Sequence, residues 1–178
     1  MKKLNLIFLF TLTLFIASCD SDDSSGVDID PVMASTDILG DWNLVELETT
    51  NGRVESNALG LEINANFTAV GQDFDTLVTF SGDPQMVTSS GSYTTVITTE
   101  IAGVTETEEV PGEDFFETST WRIENNQLIF SDDGVDVPFD ITEFSENRLS
   151  LRVDIDETES ELGFTSSVSA TYTMTLTR

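Results

Sequence analysis

Histidine is missing from this sequence, cysteine occurs once, at Cys19, and the only two lysines stand at positions 2 and 3. A lone cysteine excludes an internal disulfide and a cysteine-ligated metal. With no histidine, no lysine beyond Lys3 and a single thiol, the usual general bases and activated nucleophiles of enzymes are missing, and no catalytic residues are expected. Positive charge is nearly absent too. Five arginines stand against 33 acidic residues beyond Lys3, and the whole chain carries a net charge of −26. Such a surface repels nucleic acid and anionic headgroups, so nucleic acid is excluded as a partner. No apolar run after residue 18 is long enough to cross a bilayer. Helical stripes of useful length are lacking from Ile38 onward.

What is present begins at the amino end. Lys2-Lys3, the apolar run Leu4 to Ala17 and the small residues before Cys19 have the three-part pattern of a secretory signal. A single spanning helix is the competing reading, but it needs about 20 apolar residues. Ile16-Ala17-Ser18-Cys19 resembles the lipobox of bacterial lipoproteins, in which the cysteine becomes the acylated first residue. The resemblance implies a signal peptide over 1–18, lipidation at Cys19 and a membrane partner engaged through acyl chains. Asp20 to Gly26 is polar, anionic and free of aromatics, which predicts a flexible tether over 19–35. Cys19-Asp20-Ser21-Asp22-Asp23 resembles the acidic export signal of some Gram-negative surface lipoproteins. The expected location is therefore the outer membrane, lipid-anchored and exposed on the cell surface. An EF-hand fails on spacing, because Pro31 stands where the closing glutamate is required.

Residues 36–178 form one expected domain, and it is all strand. Leu149, Leu151, Val153 and Ile155 alternate with Ser150, Arg152, Asp154 and Asp156. Val168 to Leu176 and Val135 to Ile141 alternate in the same way. Period-two alternation places one face in a core and one in water. Asn51-Gly52 predicts a tight hairpin. Ser81-Gly82-Asp83-Pro84, Ala102-Gly103, Asn125-Asn126, Asp132-Asp133-Gly134 and Ser145-Glu146-Asn147 predict the later turns. From Val54 to Phe74 the pattern, broken by Gly60 and Gly71, fits a long loop as well as a strand. The whole predicts an antiparallel sandwich or barrel.

Gly40-Asp41-Trp42, opening the first strand, resembles the lipocalin and wider calycin signature. Ser119 to Phe130 and the ending Thr171 to Arg178 are similar to segments of bacterial lipocalin-like surface lipoproteins. This resemblance implies an up-and-down antiparallel β-barrel, often with a cavity for a small hydrophobic ligand. It further implies that Gly40 and Trp42 close one end, with Arg178 as the basic cover. The later lipocalin signatures are not visible, and the usual C-terminal helix is not expected within these residues. Two functions of different class follow: a barrel that binds a small ligand, and a filled barrel acting through its loops on a protein or glycan at the surface.

Glu106 to Glu117 is the candidate functional loop. Pro111-Gly112 would break the strand there, and the adjacent rings Phe115 and Phe116, with Trp121, are candidate ligand or loop contacts. The reading against it has one ring entering the core. Asp154, Asp156 and Glu157 are the acidic residues best spaced for calcium, although Arg152 is placed to pair with Asp154, and no metal or cofactor is assigned.

Overall fold

The computed structural model describes residues 37–58, 61–113, 116, 119–161 and 164–178. Cys19, the signal at 1–18 and the tether at 19–35 lie outside the described residues, as does Phe115. Nine strands and no helix make up what is described: β1 (Gly40–Ala58), β2 (Leu61–Gly82), β3 (Gln85–Ile101), β4 (Val104–Glu113), β5 (Ser119–Glu124), β6 (Gln127–Asp132), β7 (Val135–Ser145), β8 (Arg148–Glu161) and β9 (Phe164–Thr177). All pair antiparallel with their neighbours.

Eight of the nine close a ring. Strand order runs β2-β1-β9-β8-β7-β6-β5-β3, and β2 pairs with β3 to complete it. This is an up-and-down barrel in which β4 alone is turned out. The seam between β3 and β5 is short, two residue pairs at Met86–Thr120 and Val87–Ser119. Phe116 lengthens it: the Ser89 amide donates to the Phe116 carbonyl at 2.9 Å, and the Phe116 amide donates to Ser89 Oγ at 2.6 Å.

The barrel interior is filled. Trp42, Leu44, Val78, Phe80, Val87, Leu128, Leu149, Leu151, Met174 and Leu176 are buried to within 2% of complete. Rings interlock beside them, with Phe80 edge-on to Trp121 at 5.7 Å and Phe130 edge-on to Phe139 at 5.4 Å. Geometry of this kind adds about 0.5–1.5 kcal/mol per pair beyond area burial. Among the described residues no buried side-chain polar atom lacks a partner, as a well-packed interior requires.

The turn chemistry follows the sequence. Ala102-Gly103, Asn125-Asn126 and Asp133-Gly134 each hold two successive positive φ angles, the backbone of the two-residue hairpin. Asn51-Gly52 differs from expectation. It lies inside β1, where Asn51 has φ 53° and the register with β2 slips between Thr49 and Gly52. The pair makes a bulge rather than a hairpin. A Cβ at Gly52 would lie 2.7 Å from the Phe67 ring, so the glycine admits an aromatic across the strand. Residues 54–58 and 61–74 belong to the paired strands β1 and β2, which excludes a long loop.

Candidate functional site

Strand lengths set up the site. β5 and β6 have 6 residues each, whereas β1, β2 and β3 have 19, 22 and 17. The long strands outrun the closed ring. Beyond Val87 the free edge of β3 pairs with β4, from Ser92 to Ile101. The edge of β8 that meets β7 is paired only as far as Arg152. Past these points the ring opens into a six-stranded flange, ordered β4-β3-β2-β1-β9-β8.

Register fixes which side chains share a face, because directly opposite residues point the same way. Val54 faces Ala65 on β2 and Val168 on β9; Ala65 faces Ile101, which faces Val104. Counting back by twos from Ile101 along β3 reaches Tyr93 and then the buried Val87, and from Val168 along β9 reaches Ala170, Met174 and Leu176. This face is thus the barrel interior continued into the open. Several of its large apolar residues are exposed: Ile63 (55%), Val104 (62%), Ile101 (46%) and Phe164 (43%). Phe74 and Tyr93, stacked at 6.4 Å, stand where the flange leaves the body.

The opposite end is covered. Trp42 is fully buried, and its Nε1 donates to the Ile38 carbonyl at 2.8 Å. The Arg178 guanidinium carbon lies 4.1 Å from the Trp42 ring centroid, and its Nη2 donates to the carbonyls of Leu39 at 2.5 Å and Asp37 at 3.2 Å. Gly40, at φ 107°, passes beside the guanidinium, with Arg178 Nη2 4.0 Å from where its Cβ would stand. The structure brings Gly40, Trp42 and Arg178 together at this end.

The other expected contacts fall elsewhere. Phe116 (8% exposed) and Trp121 (2%) are core residues rather than ligand or surface contacts. Phe116 packs on Phe130 at 4.6 Å, and Trp121 Nε1 donates to the carbonyls of Ser81 and Met86, both at 3.1 Å. Residues 106–113 form strand β4 rather than a loop. Pro111 does not break it, because its partner Thr94 lies on β3 and the other side of β4 is an edge, where a missing N–H is tolerated. Glu157 and Glu159 lie within β8.

Acidic groups separate by face. Asp154 points outward and accepts from Thr171 Oγ1 at 2.6 Å and from Arg152 Nη2 at 2.9 Å; the Thr171 bond first, and then the Arg152 bond, lower its pKa. Asp156 shares that outward face. Glu157 faces Val168, on the interior side, so Asp154, Asp156 and Glu157 do not converge. No cluster suited to a metal occurs among the described residues. Burial, and then the neighbouring Glu159 charge, raise the Glu157 pKa. Asp136 is the strongest opposite case: hydrogen bonds from Arg122 (2.6 Å) and then Ser131 hold its pKa down at about 2.

Two open hollows lie on the outward face of the flange. One, of about 480 Å³, is bordered by Arg53, Asn66, Thr68, Thr98, Glu100 and Thr105. The other, of about 270 Å³, is bordered by Glu55, Asn57, Glu62, Asn64, Thr165 and Ser167. The second is lined by polar side chains, whereas the first also takes in Gly52 and Phe67.

Residues 38–151 match the model of the lipocalin-like domain family. That span is more than half of the chain, and the closed eight-stranded ring agrees with it: the protein belongs to the lipocalin-like domain family, a binding fold. No curated protein and no solved structure matches the chain. The apolar flange face escapes sequence reading, since alternation in β2 and β3 looks the same whether a ring closes over it or not. The excess length of β1–β3 over β5 and β6 is the signal that would have exposed it.

Proposed function

We propose that the protein is a lipid-anchored, non-enzymatic binding protein of the bacterial outer surface, which takes an apolar ligand on the inner face of its flange. The single observation that carries the reading is the placement of Ile63, Ile101, Val104 and Phe164. They are exposed on the very face that is buried in the closed body. Large apolar side chains exposed together on one face are the usual signature of an interaction site. The filled body supports the flange over the ring as the seat of the ligand. The signal-like start and the lipobox resemblance at Cys19 support the anchor, and the absence of histidine and of lysine beyond Lys3 supports a role without catalysis.

The same filled body favours a second reading, a surface module that grips a partner and carries no small molecule. Native mass spectrometry of the protein isolated from its own cells separates the two. The expected spectrum contains an acylated chain with an additional apolar molecule, which Ile63→Asn/Ile101→Asn loses while melting as the wild type does. An acylated chain with no retained molecule favours the module. An unmodified Cys19 removes the anchor.

A further inference from the structure

The flange face carries apolar side chains across its middle and gains carboxylates toward its margins. Its four central strands, β3, β2, β1 and β9, present Ile101, Ile63, Val54 and Val168, with the small polar Thr99, Ser56 and Ser166 among them. The two outer strands present carboxylates on the same face, Glu106 and Glu108 on β4, between the exposed Val104 and Val110, and Glu157 and Glu159 on β8. No arginine answers them. Arg53 pairs with Glu55, Arg122 with Glu124 and Asp136, Arg148 with Glu46 and Glu143, Arg152 with Asp154, and Arg178 covers Trp42. The chain has no other cation beyond Lys3. Glu157 and Glu159 also repel one another, which helps to raise the Glu157 pKa.

The dimensions select the shape of an occupant. Four strands at about 4.8 Å spacing make an apolar strip ~14 Å wide, and the acidic strands border it on both sides. A helix is about 10–12 Å across. The paired flange segments run 7 residues on β9 and 10 on β3, from Phe164 to Ala170 and from Ser92 to Ile101. At about 3.3 Å per residue this gives ~20–30 Å, the length of a helix of roughly 14–20 residues. Strand addition is the other way to use a sheet, but both bare edges are rich in glutamate and β4 carries Pro111, devices that blunt it. A second copy would set acidic rim against acidic rim.

We propose that the inner face of the flange docks a cationic amphipathic helix, its apolar stripe on the central strands and its lysines or arginines reaching the glutamates of β4 and β8. This rests on the reading of that face as the binding surface and names the chemistry of what it binds. Long basic side chains lay their stems on apolar surface and carry their charge outward, which suits a strip with acidic margins.

The test uses the acylated chain in zwitterionic phosphatidylcholine nanodiscs, with empty nanodiscs as the blank. Two labelled 18-residue Leu/Lys and Leu/Glu amphipathic peptides are titrated, and a neutral diazirine-bearing long-chain alcohol is crosslinked in parallel. The expected result is Leu/Lys binding at least tenfold tighter than Leu/Glu, helical by circular dichroism, and displacing the alcohol. Binding should weaken about tenfold in Glu106→Gln/Glu108→Gln/Glu157→Gln/Glu159→Gln, an isosteric surface change. Equal affinity for both peptides, an unaffected quadruple variant, or a bound peptide without helix overturns the proposal. If the alcohol labels the face and Leu/Lys does not bind, the helix falls and the apolar site stands. If neither engages, both fall.

Discussion

Replacing Arg178 by alanine removes three contacts at the covered end of the barrel. The guanidinium leaves the Trp42 ring, at 4.1 Å, and the carbonyls of Leu39 and Asp37 lose their donor. A cation over an indole contributes about 0.5–1 kcal/mol when exposed. The charged hydrogen bonds contribute about 1 kcal/mol more, below the usual range because Arg178 is itself exposed. The sum is about 2 kcal/mol, which for a domain of this size lowers Tm by roughly 4–8 °C. Arg178→Lys keeps the charge without the planar fork and should fall between. Differential scanning calorimetry reads the shift. Trp42 emission, recorded in a Trp121→Phe background, should change in Arg178→Ala. A Tm unchanged to within about half a degree in Arg178→Ala would refute the idea that this residue holds the end closed.

Other outcomes follow from the same geometry. Phe116→Ala empties a place beside Phe130 and Ser89 and should cost about 3–5 kcal/mol, measured by urea unfolding. Gly91→Ala should be at least as damaging, because φ is +112° and the new Cβ would stand 1.7 Å from the Asp75 carbonyl oxygen; a soluble variant with wild-type Tm would contradict that close approach. Asp136 has a folded pKa of about 2 against an ordinary 3.8. Its contribution is present above the ordinary value and lost as pH falls toward 2, so Asp136→Asn should destabilise at pH 7 and approach the wild type near pH 2. Glu157 runs the other way. Its raised pKa means the charged form costs stability, so Glu157→Gln should stabilise at neutral pH and lose that advantage below its ordinary 4.5.

Much of the fold is legible in the chain. The alternations at 135–141, 149–155 and 168–176 lie in β7, β8 and β9, and the paired turn residues sit where two positive φ angles are needed. What misleads is local chemistry with two uses. Asn51-Gly52 serves a bulge as well as it serves a hairpin, and long-range pairing with β2 and β9 decides between them. Pro111 ends a strand in general yet is accommodated on an edge, and nothing near it tells that β4 is one. Gly-Asp-Trp and Arg178 are legible as a pair only through the family resemblance, since 136 residues separate them. The flange is the least legible feature. Whether Ile63 and Ile101 are enclosed depends on how far β5 and β7 extend beside them, a property of other strands altogether.

On the proposed reading the ligand sits on the open flange and not in the filled ring. Residue-level mapping of the neutral diazirine alcohol on the acylated chain tests it most directly. Insertion at inner-face positions of Ile63–Gly71 and Tyr93–Ile101 is the predicted result. Insertion at Leu128, Leu151 or Met174, inside the ring, would contradict it.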